Sequence, residues 1–299
     1  MKEKELINII KTILDSKFIG DDCAYLKDIG IVITQDSLIE GIHFSLEYTT
    51  AYQLGWKSVM VNISDVCASG AEPKYLTVAL SLPNYVNESF VKDFYEGAKA
   101  ACGGIKIVGG DITGSDKVYI SITAIGLDKG RWISSRANAK VGYKIIVSGE
   151  HGNSAYGLKL LQSGLKESNK YTEAHLMPVA KQEFSKQIAQ NIDCDYAMMD
   201  SSDGLADALI QIAKLSGVKI KIDTSKIPHD KVVDLDTVLY GGEDYQLVAA
   251  VPEEFLSKIS HYTIIGEVTS GDCGIDVDGQ FYSDLDDKIY NHFEVKNED

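Results

Sequence analysis

Apolar residues in the first half of the chain recur at spacings that predict three helices and several strands. Helical spacing predicts helices over residues 3–14 and 51–67, and Asn87 is a suitable N-cap for a third that runs to Cys102. Uninterrupted or alternating apolar runs predict strands. These cover residues 31–33, 75–82 and 118–126, together with a short strand from Ile105 that enters a Gly-Gly-Asp turn at residues 109–111.

The second half of the chain again combines strands with helices. A polar connection rich in small residues, at 131–140, separates the halves, so we expect domains at residues 1–135 and 136–299. In both halves, turns that contain Gly and Asp follow predicted strands, which indicates similar architectures. The second half has predicted strands at 143–148, 197–199, 218–222, 246–250 and 264–268, and helices that end near Gly164, span 175–191 and run to Leu215.

The composition is that of a globular protein in a reducing compartment. With 299 residues, 44% apolar and 24% charged, the chain can form two domains of ordinary size. No apolar run approaches the roughly 20 residues that a membrane span needs, and the polar start of the chain does not resemble a signal peptide. The five cysteines are scattered and form no CxxC pair, which favours reduced thiols and a cytoplasmic protein, and makes a zinc site improbable.

The charge of the chain limits its partners. A formal net charge of −15 argues against sequence-independent binding to nucleic acid and against binding to an anionic membrane, since both need a basic surface. Acidic residues that cluster in loops would instead attract multivalent cations. Arg131 and Arg136 are the only arginines among 29 basic residues. Their position in one short segment suggests a planar, bidentate contact with phosphate.

The polar stretch that follows the predicted strand at 31–33 is the first candidate site. Asp36 is expected where the strand ends, and Gly41 frees the backbone before His43. A carboxylate at a strand end, followed by Gly and His, is a common way to mount reactive groups on a rigid element. Taken alone, an ordinary loop in which Asp36 caps a turn is the simpler explanation.

Acidic residues recur at other turns and helix ends, each with a simpler local explanation. The adjacent Asp21 and Asp22 repel each other unless they are solvated, protonated or bound to a cation, and a solvated loop would explain them. Asp65 opposes the dipole of its predicted helix, although a surface position would explain it. The others are Asp111, where a β-turn is the alternative, and Asp200 with Asp203, where Asp203 could be an N-cap.

These carboxylates together predict a site for hard cations. Repeated acidic turns without cysteine or histidine pairs select Mg²⁺, which usually joins one or two protein carboxylates to substrate phosphates. An acidic protein can therefore bind ATP when metal ions neutralise both sides. Such chemistry works by positioning and charge neutralisation and needs no protein nucleophile, which agrees with the absence of an obvious Ser-His or Cys-His pair.

An ordered set of short motifs resembles the thiamine-monophosphate kinase family. The resemblance extends from about Ile19 to Phe293 and implies the family's two-domain, aminoimidazole ribonucleotide synthase-like fold, an α/β (α+β) architecture with mixed sheets and flanking helices. It also implies a homodimer joined through strands of the N-terminal domain. The motifs are Gly20-Asp21-Asp22-Cys23-Ala24, residues 36–44, Val61-Asn62-Ile63-Ser64-Asp65, Gly109-Gly110-Asp111, Asp200-Ser201-Ser202-Asp203-Gly204-Leu205 and Gly241-Gly242-Glu243-Asp244-Tyr245.

The resemblance also implies a role for individual residues. An electrostatic centre would form at Asp36, Asp111 and Asp203, with no covalent nucleophile. Thiamine monophosphate would contact His43, Glu243 and Tyr290, and ATP would contact Gly110, Asp111, Arg136 and Ser202. The implied Mg²⁺ ligands are Asp22, Thr34, Gln35, Asp36, Asp65, Asp111, Asp200 and Asp203.

The implied reaction is direct, in-line transfer of the ATP γ-phosphoryl group to thiamine monophosphate, which gives thiamine diphosphate and ADP. Gln35 departs from the family pattern, which usually has a hydroxyl residue there, so one metal ligand would become an amide or be replaced by water. Two alternatives are another ATP-using enzyme of the same superfamily and a noncatalytic homologue that binds nucleotide or Mg²⁺.

Overall fold

The computed structural model of the chain describes residues 3–165, 167–285 and 288, which form two mixed β-sheets with flanking helices. This arrangement confirms the predicted fold class. The helices are α1 (Glu3–Leu14), α2 (Ala51–Ala68), α3 (Glu88–Cys102), α4 (Asn153–Gln162), α5 (Lys170–Leu176), α6 (Gln182–Asn191), α7 (Leu205–Ser216) and α8 (Leu235–Tyr240). The strands are β1 (Ala24–Leu26), β2 (Ile31–Ile39), β3 (Glu72–Leu82), β4 (Lys106–Gly114), β5 (Tyr119–Leu127), β6 (Lys144–Val147), β7 (Ala197–Asp200), β8 (Lys219–Ile222), β9 (Leu247–Val251), β10 (Thr263–Thr269), β11 (Gly274–Val277) and β12 (Gln280–Tyr282).

The first sheet has the strand order β1-β2-β5-β3-β4. Its neighbours are antiparallel except for the parallel pair β3 and β4. Helix α2 packs against β2 and β5, and α3 packs against α2. The two helices approach closely because a Cβ atom at Gly55 or Gly97 would lie 1.9 Å from the carbonyl oxygen of Phe94 or Tyr52, respectively, on the facing helix.

The second sheet has the order β12-β11-β8-β10-β6-β9-β7. It is antiparallel except where β11 runs parallel to β8. Helix α7 covers part of this sheet, and its Leu209 and Ile212 are buried in one core with Ile220 of β8 and Val248 of β9. Strands β7 and β9 are buried along their whole length, which explains why they read as continuous apolar runs in the sequence.

The two sheets share a core around α2. Ile63 of this helix belongs to the same buried cluster as Met198 of β7 and Leu247 of β9. Two hydrogen bonds join the helix to the second half of the chain: Trp56 Nε1 donates to Pro178 O at 2.7 Å, and Ser185 Oγ donates to Cys67 O at 2.6 Å. Helix α2 is therefore buried on most of its circumference, and its polar residue Ser64 contacts the second sheet.

Several predicted elements are confirmed. The helix predicted over residues 3–14 is α1, and the one predicted over 51–67 is α2, which ends one residue later. Asn87 caps α3 as predicted, because its side chain accepts a hydrogen bond from the Phe90 N–H. The domain boundary near residue 135 stays a prediction; the last strand of the first sheet ends at Leu127 and the first strand of the second begins at Lys144.

Strands β2 and β4 are longer than predicted, and this places Asp36, Gly110 and Asp111 inside strands. Strand β2 continues to Ile39, so Asp36 lies inside the strand and not at its end. Strand β4 continues to Gly114, so Gly110 and Asp111 lie in a strand and not in a turn. Both extensions follow from pairing: β5 pairs with β2 along its full length, and β3 pairs with β4. Ladder hydrogen bonds outweigh the weak strand preference of glycine and aspartate.

The second half also differs in detail from the prediction. Within residues 175–191 the helix predicted after Pro178 is α6, which begins at Gln182, while His175 lies in the separate helix α5 and Pro178 lies between the two. Helix α8 and strands β11 and β12 were not predicted, and each is six residues long or shorter. Among the residues that the structure describes, no helix combines the length and the apolar character needed to cross a membrane.

Candidate active site

Three carboxylates from distant parts of the chain converge at the junction of the two sheets. Asp22 lies just before β1, Asp65 lies in the last turn of α2, and Asp200 ends β7. One oxygen atom from each lies within 4.8 Å of the others. This is the only group of three or more possible ligand residues found among the described parts of the chain. Its all-oxygen composition suits a hard divalent cation.

Neighbouring hydroxyl groups orient two of these carboxylates. Thr34 Oγ1 of β2 donates to Asp65 Oδ2 at 2.7 Å, and Ser64 Oγ of α2 donates to Asp200 Oδ2 at 2.5 Å. The Ser64 contact joins the helix of the first sheet to a strand of the second. Each carboxylate has more oxygen lone pairs than its hydroxyl donor uses. The hydroxyl groups therefore orient the carboxylates and still leave lone pairs that can coordinate a cation.

The cluster is electrostatically crowded. Burial raises the pKa of Asp65 well above its usual range, and repulsion from Asp36, Asp200 and Asp22 adds to the effect. Burial and then the charge of Asp22 raise the pKa of Asp200 to about 8. Both pKa shifts indicate that, without a cation, full ionisation of the cluster is unfavourable. A bound divalent cation would reverse this preference, and the residues present therefore fit such an ion.

Arg136 faces the cluster from the connection between the sheets. Its guanidinium holds Asp22 with two contacts, Nη2 to Oδ1 at 2.8 Å and Nε to Oδ2 at 3.2 Å. Its Nη1 donates to Gln211 Oε1 of α7 at 2.7 Å. The neighbouring Asp21 accepts the Arg136 backbone N–H at 2.7 Å. The Asp21-Asp22 pair is therefore tied to the inter-sheet connection, which excludes the simple solvated loop.

Asp36 and Gln35 are adjacent but have different surroundings. The Asp36 N–H donates to Asn62 Oδ1 of α2 at 3.0 Å, and its carboxylate is close enough to raise the pKa of Asp65. The Gln35 amide donates to Ser121 Oγ at 3.0 Å and accepts from Thr123 Oγ1 at 3.1 Å, both on β5. Successive strand residues point to opposite faces, so Gln35 lies on the sheet face away from α2. The structure thus separates Gln35 from the carboxylate cluster.

Asp111 is also separated from the cluster within one chain. It lies on β4, and strands β3 and β5 intervene between β4 and β2. Three strand spacings place it on the order of 14 Å from β2, too far for one ion to join Asp111 and Asp36 of the same chain. The neighbouring Gly110 is required by packing, because a Cβ atom there would lie 1.9 Å from Val78 O.

A second polar cluster surrounds Glu243, next to the acidic one. Lys57 Nζ lies 2.9 Å from Glu243 Oε1, and His175 Nδ1 lies 3.3 Å from Glu243 Oε2. Burial alone would raise the pKa of Glu243, but Lys57, His175 and His43 together lower it below its usual value. His43 Nδ1 accepts the Ile39 N–H at 3.0 Å, which leaves the ring proton on Nε2 in the neutral form. The structure therefore brings His43 near enough to Glu243 for its charge to act on the carboxylate, and these side chains form the Glu243 cluster.

The remaining candidate residues have the following positions. The Glu243 N–H donates a hydrogen bond to the Ser202 carbonyl oxygen at 2.6 Å. The motif at residues 200–205 therefore packs against the motif at residues 241–245. Asp203 is not an N-cap, since that position of α7 is Gly204. Tyr290 lies outside the described residues.

Sequence reasoning missed several side chains that complete both clusters. Asn62 and Ser64 belong to one of the motifs but had no role assigned to them, Lys57 was not singled out, and the partners of Glu243 lie far from it in sequence. One signal was available: Lys57 is a charged residue within an apolar stretch. The missed residues are Lys57, Asn62 and Ser64 of α2, His175 of α5, and Tyr48, whose pKa is raised by burial and then by Glu243.

Comparison with known proteins identifies the family. Residues 20–127 match the family described as AIR synthase related protein, N-terminal domain. The chain is 37% identical to the thiamine-monophosphate kinase of Aquifex aeolicus (strain VF5), and the match covers 96% of this chain and 97% of the relative. The chain belongs to the thiamine-monophosphate kinase family. The kinase of Bacillus subtilis (strain 168) is 34% identical, with 85% of each chain covered.

A solved structure of the same family has the same fold. AaThiL complexed with AMPPCP and TMP superposes with a TM-score of 0.89 at 35% identity, covering 98% of this chain and 97% of that chain. The agreement extends over both sheets. The carboxylate cluster of this thiamine-monophosphate kinase family member therefore lies within an architecture that is shared almost end to end.

Replacing Asp200 with asparagine should stabilise the metal-free protein. Because the folded-state pKa of Asp200 is raised above its unfolded value, its contribution to stability falls as pH rises from about 4 to about 8. At pH 8 in EDTA we expect Asp200→Asn to melt about 2–6 °C higher than the parent. Mg²⁺ should raise the melting temperature of the parent but not that of Asp200→Asn.

The matched control is Asp195→Asn, which removes an exposed carboxylate paired with Lys140 outside the cluster. It should leave both melting temperatures and the response to Mg²⁺ unchanged. Equal stabilisation of the parent and of Asp200→Asn by Mg²⁺ would show that Asp200 does not take part in binding the ion.

Proposed function

We propose that this chain transfers the γ-phosphoryl group of ATP to thiamine monophosphate in thiamine diphosphate biosynthesis, with Mg²⁺ as the metal. The observation that carries the proposal is the convergence of Asp22, Asp65 and Asp200 beside the Glu243 cluster, in a chain of the thiamine-monophosphate kinase family. The acidic cluster suits the binding of phosphates through a cation, and Glu243 presents a carboxylate to a positively charged organic group. The two clusters therefore suit the phosphates and the thiamine portion of the substrates, respectively.

The acidic cluster would hold Mg²⁺ through Asp22, Asp65 and Asp200, with Asp36 beside them. The ion supplies charge neutralisation for the transferred phosphoryl group when it is bound. Thr34 and Ser64 orient the carboxylates, and we assign Asp203, at the start of α7, to the same acidic edge. Gln35 has no place in this ligand set because its amide pairs with β5.

Arg136 and Ser202 are proposed to contact ATP. Both lie beside the acidic cluster, Arg136 through its contacts with Asp22 and Ser202 through its position two residues after Asp200. A guanidinium fork suits phosphate oxygens as well as carboxylates, so Arg136 can hold Asp22 in place while facing a nucleotide. His43 and Glu243 are proposed to contact thiamine monophosphate, as is Tyr290.

The chemistry requires no protein nucleophile. A phosphate oxygen of thiamine monophosphate is itself the attacking group, and its new bond to the γ-phosphorus forms as the bond to the ADP oxygen breaks. The protein's task is to bring the two phosphates into line and to reduce their repulsion. We place this activity in the cytoplasm, where reduced thiols such as the five free cysteines persist.

Incubation with Mg·ATP and thiamine monophosphate tests the proposal directly. We expect thiamine diphosphate and ADP in equal amounts, measured together by chromatography. Asp36→Asn should lower turnover by about 100-fold or more, because it removes a charge from the acidic cluster, while the circular dichroism spectrum remains that of the parent. Free phosphate without thiamine diphosphate would refute the assignment, and turnover of Asp36→Asn close to that of the parent would remove Asp36 from the centre.

We also propose a homodimer in which β4 of one copy lies beside β2 of the other. In the described residues, β4 pairs only with β3, and residues 34–39 of β2 pair only with β5. Both edges can therefore accept another strand. Val108 and Ile112 of β4 are 59% and 63% exposed, which suits burial against a second chain. Such pairing would bring Asp111, with Gly110, to the Asp36 of the partner copy.

A mixture of two inactive variants distinguishes this arrangement from a site within one chain. Asp36→Asn and Asp111→Asn should each be inactive alone. When the two are unfolded and refolded together, mixed dimers hold one intact site, so about a quarter of parental activity should return. No recovery, with mixed dimers demonstrated by mass spectrometry, would show that Asp111 does not serve the partner's site.

A further inference from the structure

Lys57 is a buried cation that the apolar packing of α2 does not explain. Its side chain is 1% exposed, and its neighbours Val59 and Met60 belong to the core. Burying an ammonium group is costly unless an opposite charge accompanies it. A residue whose only task was to fill the core would be apolar, so the partner of Lys57 indicates why a charge is present.

That partner is the Glu243 carboxylate, and the contact is mainly one of charge. Lys57 Nζ lies 2.9 Å from Glu243 Oε1, yet no acceptor among the described residues meets Nζ with the angles of a hydrogen bond. Glu243 itself remains 25% exposed. The carboxylate is therefore neutralised from its buried side and open on the other, as expected of a group that receives a ligand.

His175 faces the second oxygen of the same carboxylate. Its Nδ1 lies 3.3 Å from Glu243 Oε2 and 3.2 Å from Ser154 Oγ. Burial and then the charge of Lys57 lower the pKa of His175 to about 4, so the ring is neutral near pH 7. His175 therefore limits the orientation of the carboxylate, while Lys57 supplies the charge.

The backbone of Glu243 is held in one conformation as well. Its φ of +66° lies in the left-handed region, which a non-glycine residue adopts only when its surroundings enforce it. The Glu243 N–H donates to Ser202 O at 2.6 Å, and a Cβ atom at Gly242 would lie 2.6 Å from that same oxygen. Backbone and side chain are thus constrained independently, which places the carboxylate before a ligand arrives.

We infer that Lys57, assisted by His175, is a positioning residue that keeps the Glu243 carboxylate ionised and directed at the cationic thiamine portion of the substrate. The inference rests on the proposed function, in which Glu243 contacts thiamine monophosphate. The other charged or titratable groups around Glu243 are His43, Tyr48, Asp244 and Tyr245. Lys57 is the one with the closest contact to the carboxylate, so it has the largest influence on its charge.

A double-mutant cycle tests whether Lys57 acts through Glu243. Lys57→Met and Glu243→Gln should each raise the KM for thiamine monophosphate about tenfold or more and leave the KM for ATP unchanged. In the double variant, the KM for thiamine monophosphate should be no higher than in the singles, because Lys57 has no carboxylate left to position. Lys57→Gln replaces the methionine variant in the cycle if that variant does not fold.

The matched control is Lys219→Met, which breaks an ion pair of the same length, 2.9 Å to Asp276, in the second sheet. It should leave both KM values at those of the parent. Effects of Lys57→Met and Glu243→Gln that multiply in the double variant would overturn the inference while leaving the proposed function intact. An unchanged KM for thiamine monophosphate in Glu243→Gln would overturn the substrate role of Glu243, and the inference with it.

Discussion

Repulsion among buried carboxylates is the constraint on which this structure depends. Asp65 is enclosed in the junction between the sheets, with Asp22 and Asp200 near enough to raise its pKa. Two like charges about 4 Å apart at an effective dielectric near 20 repel by on the order of 4 kcal/mol. The fold can tolerate such a cluster because many other contacts hold the sheets together, and because a divalent cation can offset the repulsion when it binds.

Helix α2 is the element that makes those other contacts. It packs on the first sheet, shares a core with β7 and β9 of the second, and carries the polar residues of both clusters. Ser64 and Asp65 lie near its C-terminus at the acidic cluster, while Lys57 lies about two turns earlier at the Glu243 cluster. One rigid helix thus sets the spacing between the phosphate-binding and thiamine-binding ends of the proposed site.

The sequence predicted elements that depend on local pattern and failed where long-range pairing decides. The N-cap at Asn87 and the length of α2 follow from neighbouring residues, and both are confirmed. The polar residues of β2 gave no strand signal, since only pairing with β5 keeps Asp36 in the strand. The motif resemblance named the acidic residues. Strand order was needed to separate Asp111 from the cluster, and the alternation of side chains along β2 was needed to separate Gln35. Lys57 stands out locally as a charge in an apolar stretch, but nothing near it in sequence indicates that its partner is Glu243.

Whether the carboxylate cluster binds a divalent cation is tested most directly by anomalous diffraction. The crystals are grown with Mn²⁺ in place of Mg²⁺ and with a non-hydrolysable ATP analogue. Both ions prefer octahedral oxygen ligands. We expect an anomalous peak at coordinating distance from carboxylate oxygens of Asp22, Asp65 and Asp200. Density for the bound nucleotide without a peak at these three residues would contradict their role as ligands of the cation.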